Sequence, residues 1–336
     1  MSLKAEVTKY KEKDVISLAA GRYTATIAPF LGSNIIRMQD TENNVDFFRN
    51  DEALSVEELQ KSPEVYGFPT LYLPNRLSNG NLRCSDYTYK FPMNDPLGNH
   101  IHGFLHKREH DIVSAEVIDG AAVAKTSYTY DEKDPFFDTF PVKFKAEYTF
   151  TLSENGMDYA FTLTNMSDRQ LPFGVCNHTA FKGPFVEGAE PLDTRIYVPI
   201  GDKWQLSTKC IPTLDFTELD HHDKQYLTGS MIPVKHDIDN DVYFAEEGEI
   251  DGKPFYGMVA TDLGSGIQIR YEVCRDFKYW VIWNDHGDKG YFCPEPMTWI
   301  IDAPNLPLPK DETGYEELVP GESKTVTERI YTYIEA

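Results

Sequence analysis

Cysteine is scarce and scattered in this chain. The five, Cys84, Cys176, Cys210, Cys274 and Cys293, form no C-x-x-C pair, so neither a disulfide framework nor a zinc site is indicated. Basic residues are the minority, 32 Lys and Arg against 54 Asp and Glu, for a formal net charge of −22. Nucleic acid and anionic membranes both demand basic patches, so neither is an expected partner. No apolar run approaches the ~20 residues that span a bilayer. Met1 to Ile16 lacks an apolar core followed by small residues, so no signal peptide is read there, and reduced thiols in a cytoplasm are the expectation. G-x-G-x-x-G, Walker and G-x-S-x-G motifs are missing too, which leaves nucleotide binding and serine hydrolase chemistry without support.

What the chain does have is aromatic residues and alternation. Aromatics make up 13%, with 20 Tyr and 20 Phe, a composition that favours strands. Val142 to Leu152 alternates apolar and polar residues, Asn155-Gly156 supplies a turn, and Met157 to Thr164 alternates again. Two period-2 runs around Asn-Gly predict a hairpin. Short strands are also read at Tyr23–Ile27, Asn34–Met38, Asp86–Pro92, Arg195–Pro199, Asp241–Ala245, Phe255–Ala260, Gly266–Val273, Tyr279–Trp283 and Lys324–Ile334. One helix is expected within Asp51 to Ser62, capped by Ser55, acidic at Glu57 and Glu58, and ended by Pro63. Ser207 to Ile232 has no strand pattern and reads as a surface excursion. With no repeat and no linker, the expectation is all-β: one large antiparallel β-sandwich domain over residues 1–336.

Several polar residues sit in surroundings that suit chemistry. Glu295 lies between Pro294 and Pro296 in an aromatic run. Each proline fixes φ, and Pro296 pushes Glu295 toward an extended conformation. A carboxylate on stiff backbone among aromatic rings suits a general base, because partial desolvation raises its proton affinity. His178 interrupts the apolar run Leu171 to Phe181, which places it in or near the core. Arg76 follows an irregular stretch, Gly67 to Gly80, whose prolines exclude a central strand. Four of the nine histidines, His100, His102, His106 and His110, fall between Asn99 and His110. A His-x-His pair suits a metal, but no H-E-x-x-H accompanies it. Binding of a sugar or an acid by His102, beside the flexible Gly103, is preferred.

Five motifs, Pro74-Asn75-Arg76-Leu77-Ser78-Asn79-Gly80, Ile101-His102-Gly103-Phe104, Asn177-His178-Thr179-Ala180-Phe181, Asp239-Asn240-Asp241-Val242-Tyr243-Phe244, and Glu295-Pro296-Met297-Thr298 with Asp302-Ala303-Pro304-Asn305, occur in this order. Order and spacing together resemble the aldose 1-epimerases, or galactose mutarotases, over roughly residues 20 to 334. The resemblance implies a galactose mutarotase-like β-sandwich with a sugar across one concave sheet face. It implies Glu295 as catalytic base, His178 as catalytic acid, and Arg76 and His102 as substrate-binding groups. The sugar-hydroxyl acceptor falls on Asp241, with Asp239 and Asn240 as neighbouring registers. His102-Gly103 is followed by Phe104 and not by a second glycine, and Asn177-His178 by Thr179-Ala180 and not by Ser-Tyr. The chain therefore resembles a divergent branch.

The implied reaction opens a cyclic aldose: a base takes the anomeric proton while an acid protonates the ring oxygen. Glu295 as carboxylate and His178 as imidazolium supply the pair, with ordinary pKa values of about 4.3 and 6.5. No metal or cofactor is required. Trp280 or Trp299 is expected either against the sugar or in the core. The expected partner is a small-molecule sugar; the oligomeric state is not read from the sequence. Three alternatives remain at this point. One is a hexose-6-phosphate 1-epimerase using Lys107 and Arg108. Another is a carbohydrate-binding protein without catalysis. The third is a metal enzyme using His100 and His102.

Overall fold

The computed structural model describes residues 3–335, and every strand pairing in it is antiparallel. The predicted hairpin forms from Phe144–Ser153 and Gly156–Asn165, with Leu152 opposite Met157. Its first strand alternates buried and half-buried residues along its whole length, as period-2 patterning requires when one face packs inward.

That hairpin is the centre of an eight-stranded sheet. The order is Asp111–Ile118, Ala121–Tyr130, Phe144–Ser153, Gly156–Asn165, Ser323–Tyr333, Gln268–Val273, Gly257–Asp262 and Thr194–Tyr197. A second eight-stranded sheet follows the path Pro212–Thr217, Ile200–Leu206, Asp241–Ala245, Tyr279–Trp283, Tyr291–Met297, Cys176–Asn177 and Thr70–Leu71, with Phe181–Lys182 also paired to Tyr291–Met297. A five-stranded sheet formed by residues 4–46 packs against the first. One hydrophobic cluster joins all three, running through Ile16, Phe150, Phe161, Ile330, Trp280 and Met297. The result is the all-β, antiparallel sandwich expected from the alternation.

Helix is minor. The predicted one spans Val56–Lys61 and starts with a capping box, Ser55 with Glu58. No helix among the described residues is long and apolar enough to cross a membrane. The expected excursion at Ser207 to Ile232 is instead partly ordered, with an edge strand Pro212–Thr217 and a short helix Lys224–Thr228. Five of the six strand residues are exposed, so no alternation marks them in the sequence.

The two large sheets are also tied by a polar contact inside the core. Glu328, on Ser323–Tyr333, accepts hydrogen bonds from the Asn177 side-chain amide of the facing sheet and from the Tyr271 hydroxyl. Burial pushes its carboxyl up to about 8, against the two hydrogen bonds that lower it. A carboxyl whose folded value is raised contributes stability fully below its unfolded value, 4.5 here, and loses it as pH rises through the folded value. Glu328→Gln keeps the shape and removes the ionisation. Wild type should therefore lose thermal stability relative to this variant between about pH 4.5 and 8. Melting curves at both ends of that window check this; parallel profiles would refute the neutral-acid assignment.

Candidate active site

Tyr291–Met297 is buried along its entire length. One flank forms an unbroken ladder with Tyr279–Trp283, Glu295 standing opposite Val281. The N–H groups missing at Pro294 and Pro296 therefore belong to the other flank. There only the strand's ends pair, through Phe181 and Lys182 at one end and Cys176 at the other. Residues 178–180 leave the ladder, and the N–H groups of His178 and Ala180 donate instead to the carbonyls of Pro69 and Gly67, at 3.0 and 2.9 Å. In this gap His178 Nε2 lies 3.1 Å from Glu295 Oε1, with the two side chains only 6% and 3% exposed. The Cys176 thiol donates to Glu295 Oε2 at 3.8 Å.

The pair opens on a cleft of about 260 Å³. Arg76, His102, His178 and Glu295, four of the five residues expected from the sequence, line it together with Glu64, Asn75, Asp239, Asn240 and Trp283. Arg76 is fixed by its Nε donating to Asp95 at 2.9 Å and its Nη1 to Asn240 Oδ1 at 3.2 Å. His102 sits edge-to-face on the His178 ring, centroids 5.3 Å apart. Its backbone has φ +66°, and its N–H donates to Asn75 O at 2.8 Å. Gly103 follows because a Cβ there would lie 2.0 Å from the Tyr72 carbonyl oxygen, at φ +58°. The neighbouring histidines disperse: His100 Nδ1 meets the Pro92 carbonyl at 2.8 Å, His106 is buried, and His110 bonds to Ser33.

Asp241 stands apart from the other four. Residues opposite one another across antiparallel strands share a sheet face, and successive residues alternate. Val242, Val281 and Glu295 are in line, as are Asp241, Ile282 and Pro294. Asp241 thus points to the reverse face, where Lys203 Nζ holds its carboxylate at 2.8 Å and His222 lies 3.9 Å away. The neighbouring registers, Asp239 and Asn240, are the ones that reach the cleft. Of the two roles open to Trp280 and Trp299, the structure gives both the core. Trp280 is opposite Pro296 and buried, and Trp299 is buried against Gly174. Trp283, opposite Cys293, shares the Glu295 face and lines the cleft.

Desolvation governs the electrostatics. Burial raises the Glu295 carboxyl well above the ordinary carboxylate value, opposed by the positive charge of Arg76. Burial also lowers His178 to about 4. His102 is held neutral by burial and then by His178. The expectation of an ionised carboxylate beside an imidazolium is therefore reversed: burial favours a neutral carboxylic acid beside a neutral imidazole. Either arrangement puts one proton and no net charge in the pair, so proton transfer across 3.1 Å converts one into the other.

A family model described as aldose 1-epimerase matches residues 14–331. Among solved structures, a galactose mutarotase-like protein from Clostridium acetobutylicum has 30% sequence identity and a TM-score of 0.96, with 99% of each chain covered. A protein from Escherichia coli K12 described as a putative aldose 1-epimerase shares the fold at 17% identity and TM-score 0.74, over 96% of this chain and 99% of that one. Galactose 1-epimerase from Lactobacillus acidophilus NCFM does so at 15% and 0.72, over 99% of both chains.

The close approach at Gly103 can be tested directly. Gly103→Ala should destabilise the protein by more than about 1 kcal/mol, since φ and space are both wrong for a side chain. Gly264→Ala, whose Cβ would meet nothing nearer than 3.5 Å, should not. Equal melting temperatures for the two variants would show that the His102 turn is not held by this contact.

Proposed function

Because the chain belongs to the aldose 1-epimerase family, we propose that it interconverts the α and β anomers of a free hexose by acid–base ring opening. The observation that carries this reading is the contact between the buried Glu295 and His178 side chains at the wall of the cleft. The sugar arrives as a hemiacetal. Glu295, as carboxylate after passing its proton to His178, takes the proton from the anomeric hydroxyl. The electron pair left on that oxygen forms the aldehyde, the bond from C1 to the ring oxygen breaks, and the ring oxygen takes the proton from His178. Rotation about the C1–C2 bond and the reverse transfers give the other anomer. The pair ends with one proton, as it began.

Arg76 and His102 would hold the ring oxygen and adjacent hydroxyls. Donors aimed where charge develops act strongly in a site of low dielectric, and Arg76 is preorganised by Asp95 and Asn240. Trp283 offers an apolar ring to a C–H face of the sugar.

Exchange NMR of anomer interconversion tests this. Glu295→Gln and His178→Asn should each lower kcat by about 10²–10⁴-fold, the usual worth of a positioned acid or base, with sugar affinity little changed. Full activity in Glu295→Gln would refute the mechanism. Sugar binding without any turnover in wild type would instead indicate a carbohydrate-binding protein.

The pH profile of kcat/KM carries a separate expectation. The active pair holds one proton, so activity falls when a second is added and when the only one is lost. The second proton goes onto His178, which puts the acid limb near pH 4. The last leaves Glu295, so the alkaline limb lies above the ordinary carboxylate range. Both limbs belong to the coupled pair. An acid limb at the ordinary histidine value would contradict this assignment.

A further inference from the structure

Asp241 faces away from the cleft, yet a sugar needs acceptors for its hydroxyls. One carboxylate of the cleft, Glu64, takes no part in the acid–base exchange. Its side chain is 21% exposed, and Oε2 is buried with no hydrogen-bond partner among the described residues. The nearest cationic candidate, His106 Nε2, is 3.8 Å away, beyond hydrogen-bond reach, and burial together with nearby Lys107 holds that ring neutral. Oε2 is thus turned toward the buried His106 ring, and the exposed remainder of the carboxylate is the acceptor that Glu64 offers to the cleft.

The turn that carries Glu64 is braced. Arg49 donates to the Val65 carbonyl at 3.3 Å, and its guanidinium lies over the Tyr66 and Tyr291 rings at 4.5 and 4.2 Å. Asn34 donates to the Tyr66 carbonyl at 2.7 Å and accepts from the Phe68 N–H at 2.6 Å. A braced first contact is what selective binding requires.

Charge narrows the ligand. Glu64 and Asp239 line the cleft against one cation among its lining residues, Arg76, which is itself paired with Asp95 at 2.9 Å. Arg108, expected for phosphate, is committed to Asp134, and neither it nor Lys107 lines the cleft. We infer that Glu64 is the carboxylate that accepts a sugar hydroxyl, and that the cleft takes uncharged aldoses and turns away their phosphates. This rests on the mutarotase reading for the choice of sugar as ligand.

The test uses the full chain and measures binding and turnover on the same samples. The probes are free aldoses, their singly deoxygenated analogues and a hexose 6-phosphate. Ligand-observed NMR gives affinity and exchange NMR gives rate. A hydrogen bond to a charged group is worth about 10- to 100-fold, so Glu64→Ala should weaken binding of the preferred aldose by that factor, chiefly in KM. One deoxy analogue should bind wild type equally weakly and lose nothing further in the variant, a non-additivity that a merely structural residue would not produce. Glu64→Gln, which keeps an acceptor oxygen, should lose less and guards against misfolding of the alanine variant. Affinity for every sugar unchanged in both variants, or a 6-phosphate bound as well as the free hexose, overturns the inference. Binding that depends on Glu64 without turnover would instead sink only the mutarotase reading.

Discussion

One proton shared between a carboxyl and an imidazole, both shut away from water, is the constraint on which the site depends. A lone ionised group in such a place would be expensive to bury. The pair avoids that because its two proton arrangements both sum to zero charge. The surrounding chain leaves the pair few other partners: among the described residues, Glu295 is contacted by His178 and the weak thiol of Cys176. A lysine or arginine bonded directly to Glu295 would fix it as a carboxylate and remove its readiness to exchange a proton. The cation that does act on it, Arg76, has its own carboxylate in Asp95.

The gap that admits this pair follows from backbone chemistry. A continuous sheet would satisfy every N–H and carbonyl and leave no room for a side chain to cross the strand. Prolines at 294 and 296 remove two donors from one flank, and residues 178–180 turn to Gly67 and Pro69 for acceptors. The Thr179 hydroxyl then donates to the Pro294 carbonyl, so a side chain bridges the gap. A further brace lies under Arg76. Asp302 accepts from the Ser78 N–H at 2.8 Å, and its own N–H donates to the Arg76 carbonyl at 3.0 Å. The segment from Asp302 to Asn305, part of the family resemblance, therefore works as scaffold for the wall that presents Arg76.

What is legible in the sequence is what local rules determine. The Asn155-Gly156 hairpin and the Ser55 cap rest on residues a few positions apart, and both stand within two residues of the positions those rules indicate. Glu295 and His178 are legible because proline and an interrupted apolar run mark them. The face of Asp241 is not, and the sequence leaves Trp280 open between sugar and core, because both depend on register across three strands, and one step of register reverses a side chain. Glu64 carries no mark at all: it lies in the single turn Pro63–Val65 after a short acidic helix, where a solvated glutamate is the ordinary case. Only the braces from Arg49 and Asn34, which lie far from it in the chain, turn that segment into a cleft wall.

The acidic character of the chain extends into the cleft, where carboxylates outnumber the guanidinium. Long-range attraction for an anion is absent, and the short-range cation is already paired. An uncharged sugar would be indifferent to the first and could be met by hydrogen bonds at the second. The same field bears on the chemistry. Burial opposes ionisation of Glu295, while the positive charge of Arg76 and the hydrogen bond from the Cys176 thiol favour it. The proton affinity of the pair is thus set by a balance between burial and one cation. On the proposed mechanism, that balance would let Glu295 hold a proton in the free protein and still pass it to His178 when a sugar hydroxyl arrives.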